Sequence, residues 1–366
     1  MRVLVAPDKF AGTLTALAAA EAIAAGWHDA APDDALDVVP MADGGPGFVD
    51  VLRMSLSGTT LETSVAGPLG EPARAAILRS GADAFLETAQ SCGLHLVPAD
   101  RRDPMITTTY GVGQLLATAI EDGARGLMLG LGGSATNDGG AGMLAALGAS
   151  PRDGLRRGGA ALHQLSDVDL RTARERVAGC EIAIASDVDN PLLGDYGASA
   201  VFGPQKGAGR AEVAALESAL ARFAELAGRP EADMAGAGAA GGLGYGLFLL
   251  GARRVSGIDA VLDAVGLAER VSRADLVITG EGSFDSQSLR GKVVSGVARA
   301  ARARGVACLV LAGQVVVDQP EAAAAGVEAA YAMAEHVGST EAALARPAEV
   351  LRSLAARTAR GWTNRG

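Results

Sequence analysis

The most constraining stretch of the sequence is a glycine-rich turn, GGSATNDGG, at residues 132–140. It follows a short apolar run at 126–131 and precedes a helix-like run at 141–148 that ends in glycine. This order predicts a buried strand, a turn and a helix, which is the repeating unit of an α/β fold. Glycines let a ligand approach the backbone closely, and the N-terminus of the following helix offers unpaired N–H groups. The turn is therefore a candidate site for a phosphate or another anion.

Composition predicts a soluble, cytoplasmic globular protein with room for two domains. Of 366 residues, 49% are hydrophobic and 20% are charged, and no apolar run is long enough to span a membrane. The first residues become polar too early for a signal peptide, and the three isolated cysteines are expected to be reduced. A net charge of −10 argues against nucleic-acid binding, and the four histidines lack the spacing of a zinc site.

Lysine and asparagine are unusually scarce. Only three of the 32 basic residues are lysines, and the chain has only three asparagines. Both residues use adenine-rich codons, so a GC-rich gene would lose them wherever their chemistry is interchangeable. A lysine ammonium is a compact point charge whereas arginine is a planar fork, which favours a specific role for those that remain; chance retention is the alternative. Five of the six lie in or beside glycine-rich turns: Lys9, Lys206, Lys292, Asn137 and Asn190.

The pattern of elements predicts two α/β domains. Residues 1–60 alternate strand and helix twice, which is typical of a parallel sheet. Three short strands separated by turns then form a meander at about 60–88, and helix–strand units return after it. Because the tail resembles the opening, we expect residues 1–60 and 288–366 to form one discontinuous domain. Residues 61–287 would be inserted into it and would carry the glycine-rich motifs.

Three predicted strands end in polar turns, at 132–140, 186–191 and 280–287. Ligands of open α/β sheets bind beyond the carboxyl ends of the strands, so we expect these turns to face one crevice. Clustered carboxylates repel one another, and a divalent cation such as Mg²⁺ or a shared proton is the usual reason to bring them together. For each acid the alternative role is a helix cap or a solvated loop end. The acids concerned are Asp138, Asp187, Asp189, Glu281 and Asp285.

Familiar nucleotide motifs are absent or weak. The segment before Lys292 lacks the first glycine of a Walker A loop. Residues 130–135 fit G-x-G-x-x-A without the acidic residue that should follow, and residues 236–241 fit G-x-G-x-x-G without a preceding strand. In a chain with 50 glycines such matches arise easily, so any nucleotide site is expected to be of another kind.

Several strings, in this order and spacing, resemble the bacterial glycerate kinase family: VLVAPDKFAGTLTA, PMADGG, LGGSATNDGGAGM, SDVDNPLLG, FGPQKGA, GAGAAGGLGYG and ITGEGSFDSQSLRGK. The resemblance extends from residue 1 to about 340. It departs from common family patterns at Ala11, where a lysine is frequent, and at Pro46. It implies two α/β domains, one flavodoxin-like with a parallel sheet and one inserted mixed-sheet domain, with the active site in the cleft between them. It also implies transfer of the ATP γ-phosphate to D-glycerate, dependence on Mg²⁺ and formation of 2-phosphoglycerate, by a monomer or homodimer.

Phosphoryl transfer depends mostly on positioning and charge neutralisation, and this assigns hypothetical roles to the polar residues. Asp187 would deprotonate the glycerate hydroxyl, although Asp189 and Asp138 stay open as alternatives. Glu281 and Asp285 would hold Mg²⁺, while Lys206 and Lys292 would neutralise phosphate oxygens. The remaining candidates would bind either the nucleotide or glycerate: Asp8, Lys9, Asp43, Gly44, Gly45, Gly132, Gly133, Ser134, Thr136, Asn137, Asp138, Asp189, Asn190 and Gln287.

Two functions of other classes compete with the kinase. One is a non-catalytic regulator that binds glycerate or a nucleotide on the same fold. The other is a nicotinamide-dependent hydroxyacid oxidoreductase. The carboxylate cluster and the isolated lysines favour the kinase over both.

Overall fold

The computed structural model describes residues 1–10, 12–289 and 291–363. Ala11, where the sequence departs from the family pattern, and Arg290 in the SLRGK string lie outside the described residues. No helix within the described residues is long and apolar enough to cross a membrane.

Strands and α-helices alternate along most of the chain. The strands are β1 Arg2–Val5, β2 Ala35–Val38, β3 Thr59–Ala66, β4 Pro72–Ser80, β5 Asp83–Glu87, β6 Gly126–Gly130, β7 Glu181–Ala185, β8 Arg253–Val255, β9 Leu276–Phe284, β10 Ala307–Val315 and β11 Ala329–Ala332. The helices are α1 Ala16–Ala30, α2 Phe48–Ser55, α3 Ala89–Cys92, α4 Tyr110–Glu121, α5 Ala141–Ala146, α6 Arg152–Leu155, α7 Arg171–Val177, α8 Ala198–Phe202, α9 Arg210–Ala227, α10 Arg229–Ala232, α11 Ala239–Phe248, α12 Gly257–Ala264, α13 Leu267–Val271, α14 Val293–Arg302, α15 Gln319–Ala324, α16 Met333–Val337, α17 Thr340–Ala345 and α18 Pro347–Thr363. Short 3₁₀ turns lie at Leu94–Leu96, Ala99–Arg101, Gly159–Gln164 and Pro204–Lys206.

The chain folds into two compact units. The first contains Met1–Asp43, Asp50–Leu56 and the chain from Ile258 onward, and the second contains Gly44–Val49 and Ser57–Gly257. The first unit is discontinuous, as is the domain expected from the sequence, but the chain returns to it at Ile258 rather than at 288. The reason is that β9 pairs in parallel with both β1 and β10, so it belongs to the first sheet.

The first unit has a parallel five-stranded sheet in the order β11-β10-β9-β1-β2. Read from β2 to β11 and renumbered within the unit, this is the flavodoxin-like order 2-1-3-4-5. The predicted fold class is therefore confirmed. The strand order reverses between β1 and β9. Alternate residues of the strands, such as Val3, Ile278 and Leu309, pack in one apolar cluster with Trp27 of α1 and Leu351 of α18. Ligands of such sheets bind beyond the carboxyl ends of the strands at this reversal.

Strand β9 is longer than the sequence suggested. The predicted strand ended at Thr279 and a turn began at Gly280, but β9 continues to Phe284. The extension is possible because β10 is equally long and pairs with it as far as Val315 and Phe284. Glu281 therefore lies on a paired strand that projects beyond the end of β1, which fixes its backbone more firmly than a turn would.

The second unit has a mixed six-stranded sheet in the order β3-β4-β5-β6-β7-β8. The pairs β3–β4 and β4–β5 are antiparallel, which is the meander expected from the sequence, and β5 to β8 are parallel. Its core includes Leu127 and Leu129 of β6, Ile182 and Ile184 of β7, and Phe223 of α9. The carboxyl ends of β5, β6 and β7 meet at one edge, because parallel neighbours in register end together.

Candidate active site

In the first unit, acidic and basic residues gather at the carboxyl ends of β1 and β2. The Lys9 ammonium donates a hydrogen bond to Asp43 Oδ1 at 3.2 Å and lies 4.0 Å from Asp8 Oδ1. Asp8 Oδ1 also accepts a hydrogen bond from the Lys9 N–H at 2.7 Å. The three residues therefore form one charged group at the position where a flavodoxin-like sheet binds its ligand.

Glu281 adds a carboxylate whose ionised form is disfavoured by burial. Burial raises its pKa to about 7, although Ser288 and Lys292 counteract the shift and Asp8 and Asp285 add to it. Burial likewise raises the pKa of Asp8 to about 6, against the attraction of Lys9 and with the repulsion of Asp43. Glu281 Oε1 is buried and accepts no hydrogen bond from the described residues. Such an oxygen, next to other carboxylates, is suited to a cation.

Asp285 and Lys292 complete this group from the loop after β9. Asp285 Oδ1 accepts hydrogen bonds from the N–H groups of Gln287 at 2.8 Å and Ser288 at 3.3 Å, so one oxygen holds the loop. Lys292 is half-buried at the N-cap of α14, and its charge lowers the pKa of both Asp8 and Glu281. The Gln287 side chain is exposed.

The residues present fit a shared Mg²⁺ better than a site made by the protein alone. Among the described residues, no group of three or more His, Cys, Asp or Glu side chains could hold a metal ion. Mg²⁺ usually takes one or two carboxylates and fills its other positions with water and substrate phosphates. Glu281 Oε1, which has no hydrogen-bond partner among the described residues, and the nearby Asp285 supply such a partial set of hard oxygen ligands. A role for both in holding Mg²⁺ stays a prediction.

In the second unit, the turn at 132–140 is held from behind by Asp138. This side chain is completely buried and accepts hydrogen bonds from the Thr109 N–H at 2.8 Å, the Thr109 hydroxyl at 2.9 Å, the Gly140 N–H at 3.0 Å and the Gly142 N–H at 3.2 Å. Burial raises its pKa while these bonds lower it. With its oxygens engaged inside the protein, Asp138 caps the turn and α5; this geometry does not favour direct ligand contact or a role as general base.

We predict that Asp138→Ala destabilises the fold strongly. It would leave three backbone N–H groups buried without an acceptor, at about 1–3 kcal/mol each. Urea denaturation should show a free energy of unfolding lower by at least about 3 kcal/mol, or no folded protein at all. The exposed Asp189→Ala is the control and should stay within about 0.5 kcal/mol of the parent. Equal stabilities of the two variants would contradict this role.

Lys206 lies beneath the same turn. Its ammonium is buried, with 2% of the residue exposed, and donates hydrogen bonds to Ser134 Oγ at 2.9 Å and to the Thr136 carbonyl oxygen at 2.7 Å. Burial lowers its pKa to about 8, against the attraction of Asp138. The predicted direct contact of Lys206 with a phosphate is therefore not favoured by this conformation. Its charge instead holds the turn and makes the turn's potential more positive.

The other side chains of the turn also point inward. Thr136 and Asn137 are completely buried, and the Asn137 amide donates to Ser199 Oγ at 2.9 Å. Asn137 Oδ1 is buried and accepts no hydrogen bond from the described residues. Gly132 and Gly133 are the most accessible part of the turn. Any ligand would thus meet backbone groups rather than a row of hydroxyls.

The second dinucleotide-like pattern, at 236–241, has a packing role. Gly241 has φ +71°, and a Cβ atom there would lie 1.9 Å from the Thr136 carbonyl oxygen. The Gly241 carbonyl accepts a hydrogen bond from the Gly139 N–H at 3.1 Å. Only glycine permits this approach of two backbones. The glycines of this run therefore support the turn at 132–140, and the regular part of α11 begins after Gly242.

Three further predicted residues lie at the same edge of the second sheet. Gly44 has φ +86°, and a Cβ there would lie 2.4 Å from the Ala185 carbonyl oxygen. A Cβ on Gly132 would lie 2.9 Å from the Gly45 Cα, so the turn at 44–47 packs between the ends of β6 and β7. Asp187, just after β7, is exposed, and its Oδ1 accepts a hydrogen bond from the Gly257 N–H at 2.9 Å.

The remaining residues of the SDVDN string differ in their exposure and bonding. Asp189 is exposed, whereas the Asn190 amide donates to the Tyr196 carbonyl oxygen at 2.7 Å and shapes its own loop. Asp187 and the turn at 132–140 thus share one edge of the second unit. Asp8, Lys9, Asp43 and Glu281 share one edge of the first. That both groups serve one active site stays a prediction.

Sequence reasoning missed several residues that support these groups. Thr109 holds Asp138, Ser199 bonds to Asn137, and Ser288 lowers the pKa of Glu281 while its hydroxyl donates to the Ser283 carbonyl oxygen. Glu87 is buried at the end of β5 and accepts a hydrogen bond from the Gly47 N–H at 2.9 Å. Of these residues, only Glu87 could have been found from the sequence, because it is a carboxylate at the end of an apolar strand.

Known proteins resemble the chain over its whole length. The model of the glycerate kinase family matches residues 3–363. A glycerate kinase of Bacillus subtilis is 43% identical over 97% of the chain and 96% of its own length. A glycerate 2-kinase of Escherichia coli is 40% identical over all of both chains. A crystal structure from Salmonella typhimurium, provisionally described as a glycerate kinase 2, superposes with a TM-score of 0.83 at 39% identity, covering 100% of this chain and 98% of its own. The chain therefore belongs to the glycerate kinase family.

Proposed function

We propose that the protein transfers the γ-phosphoryl group of ATP to the 2-hydroxyl of D-glycerate, yielding ADP and 2-phosphoglycerate. The position of transfer follows the name of the Escherichia coli relative, a glycerate 2-kinase. The structural observation that carries the proposal is the buried carboxylate of Glu281 at the reversal of a flavodoxin-like sheet: its Oε1 accepts no hydrogen bond from the described residues, and the charges of Asp8, Lys292 and Asp285 act on it. Such a group is suited to a metal-bound polyphosphate.

Asp187 is the general base of this proposal. The hydroxyl proton of glycerate passes to its carboxylate as the new oxygen–phosphorus bond forms and the bond between the γ-phosphorus and the bridging oxygen breaks. Asp187 is exposed and oriented by the Gly257 N–H, whereas Asp138 is buried with its oxygens engaged. Asp189 lacks such an oriented contact in the described residues and is the second choice.

The chain's cations and amides neutralise charge on both substrates. Lys9 and Lys292 lie among the carboxylates of the first unit and would contact phosphate oxygens there. Mg²⁺, held by Glu281 and Asp285, would supply further neutralisation of the phosphate charge when bound. The accessible backbone of Gly132 and Gly133, above the buried ammonium of Lys206, would receive the glycerate carboxylate.

ADP formation tests the proposal. Purified protein with ATP and Mg²⁺ should release ADP in proportion to D-glycerate, and a chelator in excess of Mg²⁺ should stop the reaction. L-glycerate is the matched control, because it offers the same groups in the other configuration. If D-glycerate leaves ATP consumption unchanged while it raises the thermal stability of the protein, the non-catalytic regulator is the better description.

We expect Lys292→Arg to lower kcat/KM by at least about 10-fold. Arginine keeps the positive charge but spreads it over a planar fork that cannot replace a point charge beside Asp8 and Glu281. Steady-state ADP release measures the effect, and Arg304→Lys, at an exposed position, controls for an exchange between the two cation types. An unchanged rate for Lys292→Arg would remove Lys292 from phosphate contact.

A further inference from the structure

A cavity of about 300 Å³ opens in the first unit at the carboxyl ends of β9 and β10. Its floor includes Phe10 and Met333, both nearly completely buried, and one wall is α17 with Ala343 and Leu344. The volume lies at the lower end of the range of small-molecule sites.

The cavity is chemically neutral. None of the described residues that line it is charged, and its polar groups are few: the hydroxyls of Thr13, Ser283 and Thr340 and the amide of Gln314. The Gln314 amide is oriented by a hydrogen bond to Thr340 Oγ1 at 3.0 Å. Leu344 is an apolar residue of the cavity wall, yet 57% of it is exposed. An exposed leucine in such a wall is suited to cover a flat apolar ligand.

The cavity is continuous in sequence with the charged group of the same unit. Gly282 and Ser283, which line it, follow Glu281 directly on β9. Phe10 follows Asp8 and Lys9 on the loop after β1. Because consecutive Cα atoms are about 3.8 Å apart, a ligand in the cavity lies within one nucleotide length of these charges.

We propose that this cavity binds the adenine base and part of the ribose of ATP, with the phosphates directed towards Lys9, Lys292 and Glu281. The inference rests on the proposed function, because it takes ATP as the donor. A purine is flat, uncharged and edged with hydrogen-bonding atoms, which matches an apolar slot with a few polar groups. Glycerate is a small anion, and the described lining offers it no cation. The first unit thus receives the nucleotide, and the carboxylate of glycerate is left to the second.

Leu344→Glu tests this assignment, because it places a carboxylate in the wall without disturbing the core. Val337→Glu is the matched control: it introduces the same charge at an exposed apolar residue of the same unit that is outside the cavity lining. Calorimetric titration with ADP gives the affinity without any need for turnover. Steady-state assays then give KM separately for ATP and for D-glycerate.

We expect Leu344→Glu to weaken ADP binding and to raise the KM for ATP by at least 10-fold, with the KM for D-glycerate within twofold. Val337→Glu should change neither. Unaltered ADP affinity in a folded Leu344→Glu protein would overturn the assignment even if glycerate is phosphorylated. Conversely, weaker ADP binding by Leu344→Glu in a protein that does not phosphorylate glycerate would support the cavity and reject the proposed function.

Discussion

Replacement of Asp187 by asparagine should lower kcat by at least about 10²-fold, because a general base typically contributes 10²–10⁴-fold to the rate. The amide oxygen of asparagine can still accept the hydrogen bond from the Gly257 N–H, so the loop after β7 should keep its conformation. The variant therefore removes the proton acceptor and little else. Its thermal unfolding midpoint should match that of the parent, and ADP release with saturating substrates gives kcat.

Asp195→Asn is the matched control for this loss. Asp195 is also an exposed carboxylate in the segment after β7, and its replacement should leave kcat within about twofold of the parent. A loss below about fivefold for Asp187→Asn would exclude Asp187 as the base. A large loss for Asp189→Asn together with a small loss for Asp187→Asn would assign the role to Asp189.

Replacement of Glu281 by glutamine should have two opposite effects. Activity should fall by about 10²-fold or more, because the anionic oxygen that would hold the metal is lost. Without divalent cations, however, the protein should become more stable at pH 8. Folding raises the pKa of Glu281 from 4.5 to about 7, so between these two pH values the folded protein keeps a proton that the unfolded chain has released. The stability contributed by the neutral acid is thus lost as pH rises from about 4.5 to about 7.

The gain in free energy of unfolding at pH 8 should be roughly 3–4 kcal/mol, since the pKa rises from 4.5 to about 7 and each pKa unit corresponds to about 1.4 kcal/mol. Urea denaturation in a chelating buffer at pH 4.5 and pH 8 measures it, and the difference between parent and variant should vanish at pH 4.5. Glu335→Gln, at an exposed position, is the control and should leave the free energy of unfolding within about 0.5 kcal/mol of the parent. Equal stability of Glu281→Gln and the parent at both pH values would show that the carboxylate is not strained. A stability gain paired with lost activity is the expected cost of a preorganised site.

The sequence predicted the fold class because the periodic patterns of strands and helices carry it. The parallel sheet, the meander and the family are confirmed. The extent of β9 was missed because GEGSF resembles a turn, and only the pairing with β10 shows that it is a strand. The start of the last segment at Ile258 was missed for the same reason, since strand order is a tertiary property.

The candidate site was harder to predict than the fold, because a sequence does not determine the direction in which a polar side chain of a turn points. Asp138 and Lys206 were expected to meet ligands, yet both are buried and bonded to backbone groups of the turn at 132–140. The scarcity of lysine still identified Lys206 as chemically special. Its compact ammonium is buried and donates to two oxygens, an arrangement that suits a point charge better than the planar fork of arginine. Thr109 and Ser288 carried no signal, since hydroxyls that support a carboxylate have no characteristic spacing.

Phosphorus NMR of the product distinguishes transfer to the 2-hydroxyl of D-glycerate from transfer to the 3-hydroxyl. The protein is incubated with ATP, Mg²⁺ and D-glycerate, and the new phosphate ester is observed with proton coupling. We expect a doublet, because the phosphorus of 2-phosphoglycerate couples to the single proton at C2. A triplet would show transfer to the C3 hydroxyl and contradict the proposed product, and the absence of any new ester would contradict the proposed phosphorylation of glycerate.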